Sequence, residues 1–200
     1  MKEIKYLLSD LDGVIRHFSS ERDGEIERRC GLTPGKLLGT AFEKNLLTRA
    51  ITGKISDEVW RAEVIAELAQ QCSPELAAQA VSDWSAHPGS VDHRYLEYLQ
   101  FKFADLPISL LTNGTSRLHR DLKNLGIFER FFKIFNSAEV GFCKPDRRIF
   151  EHVVEALGCE PEEIFFIDDW LPNVTVAKEI GMSSHHYRSF EEFKDVMELR

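Results

Sequence analysis

The chain has 200 residues, 43% of them hydrophobic, and a formal charge of -8, which supports one substantial core with a modest accessory lobe but not two large domains. The acidic balance repels DNA and anionic membranes, no apolar run approaches the ~18 residues of a membrane span, and charged residues occupy the N-terminal stretch where a signal peptide would be apolar. The expectation is a soluble, cytoplasmic protein with no nucleic-acid or membrane partner, and the four cysteines, Cys30, Cys72, Cys143 and Cys159, lack both a C-x-x-C pair and the density of a disulfide scaffold.

The first apolar run, residues 4–8, reads as a strand that delivers Asp10 and Asp12 beyond its carboxyl end, with Gly13 where the chain turns. A long interval follows, roughly residues 15–105, and a compact protein does not leave such a stretch without structure. Its pattern is helical. Thr33-Pro34 and Ser73-Pro74 each set a capping residue before a first-turn proline, Ser56-Asp57-Glu58 puts acids at a helix start, and Trp60, Val64 and Leu68 recur on one face. Residues 18–86 therefore read as a helical insertion, and residues 92–103, after His87-Pro88-Gly89, as a helix leading back to the sheet.

Beyond residue 105, strands at 108–111, 134–135 and 164–167, with a weaker one at 186–187, alternate with helices at 116–125, 147–157 and 172–180. Gly126, Gly158 and Gly181 stop those helices, and Ser189 with Glu192 forms a capping-box pattern for a last one. Such alternation predicts an α/β fold: a doubly wound parallel sheet of Rossmann type, built from residues 1–17 and 87–200, with the helical segment 18–86 inserted.

Ligands of open α/β sheets bind beyond the carboxyl ends of the strands. The first strand presents Asp10 and Asp12 there, the second Thr112 and Asn113, and the fourth Asp168 and Asp169. Each alone is an ordinary turn or capping residue; three pairs on one rim point to a shared site. Carboxylates crowded together repel unless a cation sits among them, and magnesium, a hard ion with oxygen ligands, suits that set. Lys144, in the turn signal GFCKPD, can add positive charge to the same rim.

Asp10-Leu11-Asp12-Gly13-Val14, Thr112-Asn113, Lys144-Pro145 and Asp168-Asp169 with Asn173 resemble, in order, the four motifs of the haloacid dehalogenase superfamily. The stretch FFIDDWLPNVTVAKEIGM is similar to the last motif of a phosphatase branch that contains the N-terminal domain of soluble epoxide hydrolase and bacterial glucose-1-phosphatases. The resemblance implies a Rossmann-like core with a small helical cap, and hydrolysis of a small phosphorylated metabolite, such as a sugar phosphate, through an aspartyl phosphate on Asp10 with Asp12 as acid and base. It further implies Thr112, Asn113 and Lys144 as phosphate-binding residues, and Mg2+ held by Asp10, Asp169 and the backbone carbonyl of Asp12. Asp168 and Asn173 would then support Lys144 and the metal from behind.

An acid at Asp12 separates the phosphatases this chain resembles from the dehalogenases, which release halide and need no acid there. Sugar phosphomutases of the group share Asp10 and Asp12 but often have serine where Asn113 stands. Receiver-type signalling domains also gather acids and a lysine on a sheet rim, yet their acidic pair precedes the acceptor aspartate. A catalytically idle binding protein on the same fold is the remaining alternative. Oligomeric state is not readable from the sequence. Arg16 and His17, beside the first motif, and Arg49 and Lys54, flanking Gly53, are candidate substrate contacts.

Overall fold

The computed structural model describes residues 2–198. Strand β1 (Tyr6–Ser9) leads into a two-residue strand β2 (Arg16–His17) and then five helices: α1 (Ser20–Cys30), α2 (Lys36–Ala41), α3 (Lys44–Ile51), α4 (Asp57–Leu68) and α5 (Pro74–Ser85). Strand β3 (Ser90–Val91) returns the chain to helix α6 (His93–Lys102) and β4 (Ile108–Thr112). Helix α7 (Leu118–Asn124), β5 (Lys133–Asn136), α8 (Ser137–Val140), α9 (Arg147–Leu157), β6 (Ile164–Asp168), α10 (Leu171–Glu179), β7 (Ser183–His186) and α11 (Phe190–Glu198) complete it. No helix of the described residues is long and apolar enough to cross a membrane.

The main sheet has five parallel strands in the order β5-β4-β1-β6-β7. Helices cover both of its faces, so its strands are apolar on both sides rather than alternating. Leu7, Leu110 and Phe165 point into one core with Tyr95, Leu122 and Phe193, while their neighbours Leu8, Leu111 and Phe166 point into the other with Phe150 and Val153. From β1 the chain goes to β4 and β5 on one side and then crosses to β6 and β7 on the other, so the winding reverses at β1. The resulting crevice, at the carboxyl end of β1, is where such sheets bind ligands.

Helices α1 to α5 enclose a separate apolar cluster that includes Trp60, Val64 and Leu68, the three residues expected on one face. Ser56 and Ser73 cap α4 and α5 by accepting from Val59 N and Leu76 N. Thr33-Pro34 does not act as a cap. Helix α2 begins behind Gly35, and the N–H groups of Gly35 and Leu37 both donate to the carboxylate of Glu27 at 2.8 Å. A buried acid from α1 thus does the work that sequence reasoning gave to a local threonine. The antiparallel pair β2–β3, Arg16 opposite Val91 and His17 opposite Ser90, ties together the two ends of this helical segment; runs of two residues carry no detectable period.

The helical segment is seated on the core at two points. Thr115 Oγ1, just past β4, donates to Asp57 Oδ1 at 2.9 Å, and Asp57 N donates to Ser116 Oγ at 3.0 Å. Gly53 lies against the core so closely that a Cβ there would stand 2.1 Å from the carbonyl oxygen of Ala138.

Gly53 and Gly31 share a left-handed backbone, with φ of 69° and 70°, but a Cβ on Gly31 meets nothing within 4 Å. Gly31→Ala is expected to lose only the backbone preference, about 1–2 kcal/mol, whereas Gly53→Ala adds a backbone clash and loses at least twice as much. Urea denaturation of the two variants checks this; equal losses would show that the Gly53 contact is not tight.

Candidate active site

Each strand end contributes one part of the site. Asp10 follows β1, its N–H donating to Ile167 O of β6 at 2.8 Å, and its Oδ1 accepts from Leu11 N at 2.7 Å. The same Oδ1 receives Lys144 Nζ at 2.7 Å, and Lys144 Nζ also reaches Asp168 Oδ2 at 2.6 Å. All three side chains are buried. Lys144 is aimed there by Asn113 at the end of β4, whose amide clasps the lysine's backbone: Nδ2 donates to Lys144 O at 3.0 Å and Oδ1 accepts from Lys144 N at 2.8 Å.

Asp168 is held from every side. Asn173 Nδ2 donates to both of its oxygens, at 2.9 and 3.0 Å, and Trp170 N donates to Oδ1 at 2.8 Å. Asp169, next in the chain, is open to solvent and leans over the loop after β1: a Cβ on Gly13 would stand 2.0 Å from Asp169 Oδ2. With φ at 89°, Gly13 supplies both the turn and the room.

Carboxylate oxygens of Asp10, Asp168 and Asp169 all lie within 4.8 Å of one another, with a single ammonium among them. Burial lifts the Asp10 carboxyl well above its ordinary value; Lys144 draws it down, Asp168 pushes it up, and burial prevails. Asp169 is raised too, by burial first and then by Asp168. Burial works against charge on Lys144, but Asp10 and Asp168 outweigh it and hold the lysine above its usual value. Three acids against one base is a set short of positive charge, and a hard divalent cation with oxygen ligands fits it. Asp10 and Asp169 are the acids with coordination capacity, since Asp168 is already saturated by Lys144, Asn173 and Trp170 N. Asn173 Oδ1 is buried with no partner among the described residues, an acceptor beside the acids.

Asp12 sits apart from this group. Its carboxylate takes a two-pronged fork from Arg16, with Nε to Oδ1 at 2.5 Å and Nη2 to Oδ2 at 2.9 Å. Arg16 approaches Asp121 at 3.9 Å, and Asp121 is fixed by Arg117 Nε at 2.9 Å. Asp12, Arg16 and Asn113 line a cavity between core and helical segment. Thr112, the last residue of β4, is buried at the rim.

Sequence reasoning missed the role of Arg16, because an acid and a base four residues apart usually form a solvated pair; here the arginine is buried. It also gave no sign of the clasp between the Asn113 side chain and the Lys144 backbone. His17, Arg49 and Lys54 do not line the cavity, and Arg49 is bound to Glu63 at 2.8 Å.

A family model described as haloacid dehalogenase-like hydrolase matches residues 4–181. Over 192 residues, 90% of both chains, the protein is 23% identical to a D-ribitol-5-phosphate phosphatase of Bacteroides thetaiotaomicron. It is 37% identical over 102 residues, 50% of this chain, to a sesquiterpene phosphatase of Aspergillus oryzae. The chain spans 51% of the length of that relative and 35% of a longer relative from Aspergillus calidoustus. Among solved structures, a HAD family enzyme of Bacteroides thetaiotaomicron in complex with magnesium and inorganic phosphate superposes with a TM-score of 0.77 at 25% identity, covering 96% of this chain and 98% of that one.

Lys144→Met removes the one positive charge buried among the acids, so about 3–5 kcal/mol of stability should be lost near neutral pH. The deficit has a defined pH dependence. A carboxyl whose folded value is raised stabilises the fold fully below its unfolded value, about 3.9, and that contribution vanishes as pH rises through the folded value. With Asp10 already raised in the presence of Lys144, the variant's deficit against the parent should shrink toward pH 4 and grow above it. Urea midpoints at several pH values measure this; a deficit independent of pH would mean that Asp10 does not feel the loss.

Proposed function

The chain belongs to the haloacid dehalogenase-like hydrolases, and on that premise we propose that it is a magnesium-dependent phosphatase of small phosphomonoesters, with Asp10 as nucleophile and residues 18–86 as a cap over the site. One juxtaposition carries the reading: Asp10 Oδ1 is pinned by Leu11 N and Lys144 Nζ, which leaves Oδ2 as the oxygen that attacks, beside the Asp168–Asp169 pair.

In the first step Asp10 Oδ2 forms a bond to phosphorus as the ester P–O bond breaks, and Asp12 gives its proton to the departing alkoxide. In the second, Asp12 takes a proton from water, which attacks phosphorus and releases Asp10 and inorganic phosphate. Lys144, the Thr112 hydroxyl and the Asn113 backbone hold phosphoryl oxygens, and because Lys144 is buried its charge acts with little screening. For Asp12 to reach a leaving oxygen its fork with Arg16 must open, and on closing the fork restores the carboxylate to one orientation.

Asp10, Asp169 and the backbone carbonyl of Asp12 are the groups that would hold magnesium; when bound, it supplies the positive charge that offsets the nucleophile's repulsion from phosphate. The solved HAD enzyme in complex with magnesium and inorganic phosphate supports magnesium as the ion. The two phosphatase relatives, one acting on a polyol phosphate and the other named for a sesquiterpene, support phosphomonoester hydrolysis but differ in the alcohol.

Phosphate release from a panel of monoesters tests the proposal. Turnover is expected with Mg2+, a loss of ~10²–10³-fold, the scale of the largest electrostatic terms, in excess chelator, and recovery on adding Mg2+ back. Full turnover in chelator would overturn the metal assignment.

A further inference from the structure

The cavity beside Asp12 has a volume of about 280 Å3, and its walls differ in kind. Six of its seven acidic and arginine side chains are ion-paired: Arg16 with Asp12, Arg117 with Asp121 at 2.9 Å, with Arg117 Nη2 also donating to Ser85 O at 2.8 Å, and Arg61 Nε with Asp57 Oδ2 at 2.7 Å, a contact without hydrogen-bond geometry; Asp23 is the seventh. Asp57 takes the Thr115 hydroxyl as well, and His87 Nδ1 accepts from Gly89 N. Few donors or acceptors are left to answer the hydroxyls of a sugar. A site built to read hydroxyls keeps such groups available and discriminates strongly through them.

The rest of the wall is apolar. Phe42 stands edge-on to Trp84 with ring centroids 6.2 Å apart, Trp84 edge-on to Trp60 at 5.6 Å, and Leu47 and Ile51 of α3 continue the surface. Phe18, 57% exposed, and Phe42, 52% exposed, show large rings to the cavity. Asp23, another lining residue, has a carboxyl raised by burial first and then by Glu27.

We propose that the alcohol carried by the phosphate is apolar, an alkyl, isoprenoid-like or aryl group lying against Phe42, Trp84 and Phe18, rather than a polyol or sugar. This rests on the phosphatase reading above. One end of the cavity is Asp12, the proposed acid for the leaving alcohol, so the group that fills the cavity is the one bonded to the leaving oxygen. An engineered apolar cavity of about 150 Å3 takes up benzene; the present one therefore accommodates roughly ten carbons. The sugar phosphate expected from the sequence would put its hydroxyls against rings and self-paired charges.

The test compares kcat/KM, with Mg2+ present, for primary alkyl phosphates from ethyl to decyl, for naphthyl phosphate, and for ribitol and glucose phosphates. Activity should rise about fourfold per methylene until the cavity is full, and a polyol phosphate should fall at least tenfold below the alkyl ester of similar size. In Phe42→Ser and Trp84→Ala the slope with chain length should flatten, the loss appearing mainly in KM. A flat series in the parent, or a preference for polyol phosphates, overturns the apolar assignment while leaving the phosphatase reading intact. Failure of every ester overturns the phosphatase reading, and a separate binding measurement then judges the cavity. Decyl phosphonate should bind the parent in titration calorimetry and bind Phe42→Ser and Trp84→Ala at least tenfold more weakly; no binding to the parent, or binding unchanged in both variants, defeats the apolar assignment on its own.

Discussion

Lys144 occupies a place where an ammonium group is costly to bury and more costly to remove. It is shared between Asp10 and Asp168 at 2.7 and 2.6 Å, and its backbone is clasped by Asn113, so one residue joins the carboxyl ends of β1, β4 and β6. Without it two buried carboxylates would face each other across a low-dielectric gap. With it, Asp10 has one oxygen fixed and one available, which is the geometric precondition for a nucleophile. The supports of Asp168, namely Asn173 and Trp170 N, serve the same end at one remove, by keeping Lys144 where Asp10 needs it.

A second constraint acts from the helical segment. Its seam with the core, Gly53 against Ala138 and Asp57 against Thr115 and Ser116, lies on the loop that follows β4 and on helix α8 after β5, immediately beyond the site. Arg117 and Arg16 continue that seam as a chain of paired charges reaching from Ser85 O through Asp121 to Asp12. The orientation of Asp12 is therefore tied to how the helical segment sits, and the cavity that receives the alcohol is bounded by the same residues.

Most of the architecture was legible because its signals are local. Helix α9 begins behind Asp146 and ends at Gly158, and the acids of the rim follow apolar strands directly. What escaped was set by distance in the chain. Glu27 displaced Thr33 as the partner of α2 from a helix away. The clasp of Asn113 on the Lys144 backbone joins residues 31 positions apart and has no local signal. Arg16 reads as a candidate substrate contact, and only the β2–β3 pairing and Asp121 show it enclosed beside Asp12. Trp60 shares one helical face with Val64 and Leu68 in the sequence pattern, and it packs with them; that Trp84 and Phe42 extend it into an aromatic wall depends on how three helices meet, which periodicity alone does not encode.

The central claim is that a phosphoryl group resides on Asp10 during turnover, and it can be trapped. In Asp12→Asn an aryl phosphate, whose leaving group needs little proton assistance, should still phosphorylate Asp10, while the hydrolytic step slows by ~10²–10⁴-fold and the intermediate accumulates. Rapid quenching followed by borohydride converts an aspartyl phosphate to homoserine, which peptide mass spectrometry locates. The account predicts homoserine at position 10, only in protein that has met substrate and Mg2+, in near one-to-one yield with the phenol released. Release of the phenol with Asp10 unmodified, or modification at another residue, would contradict it.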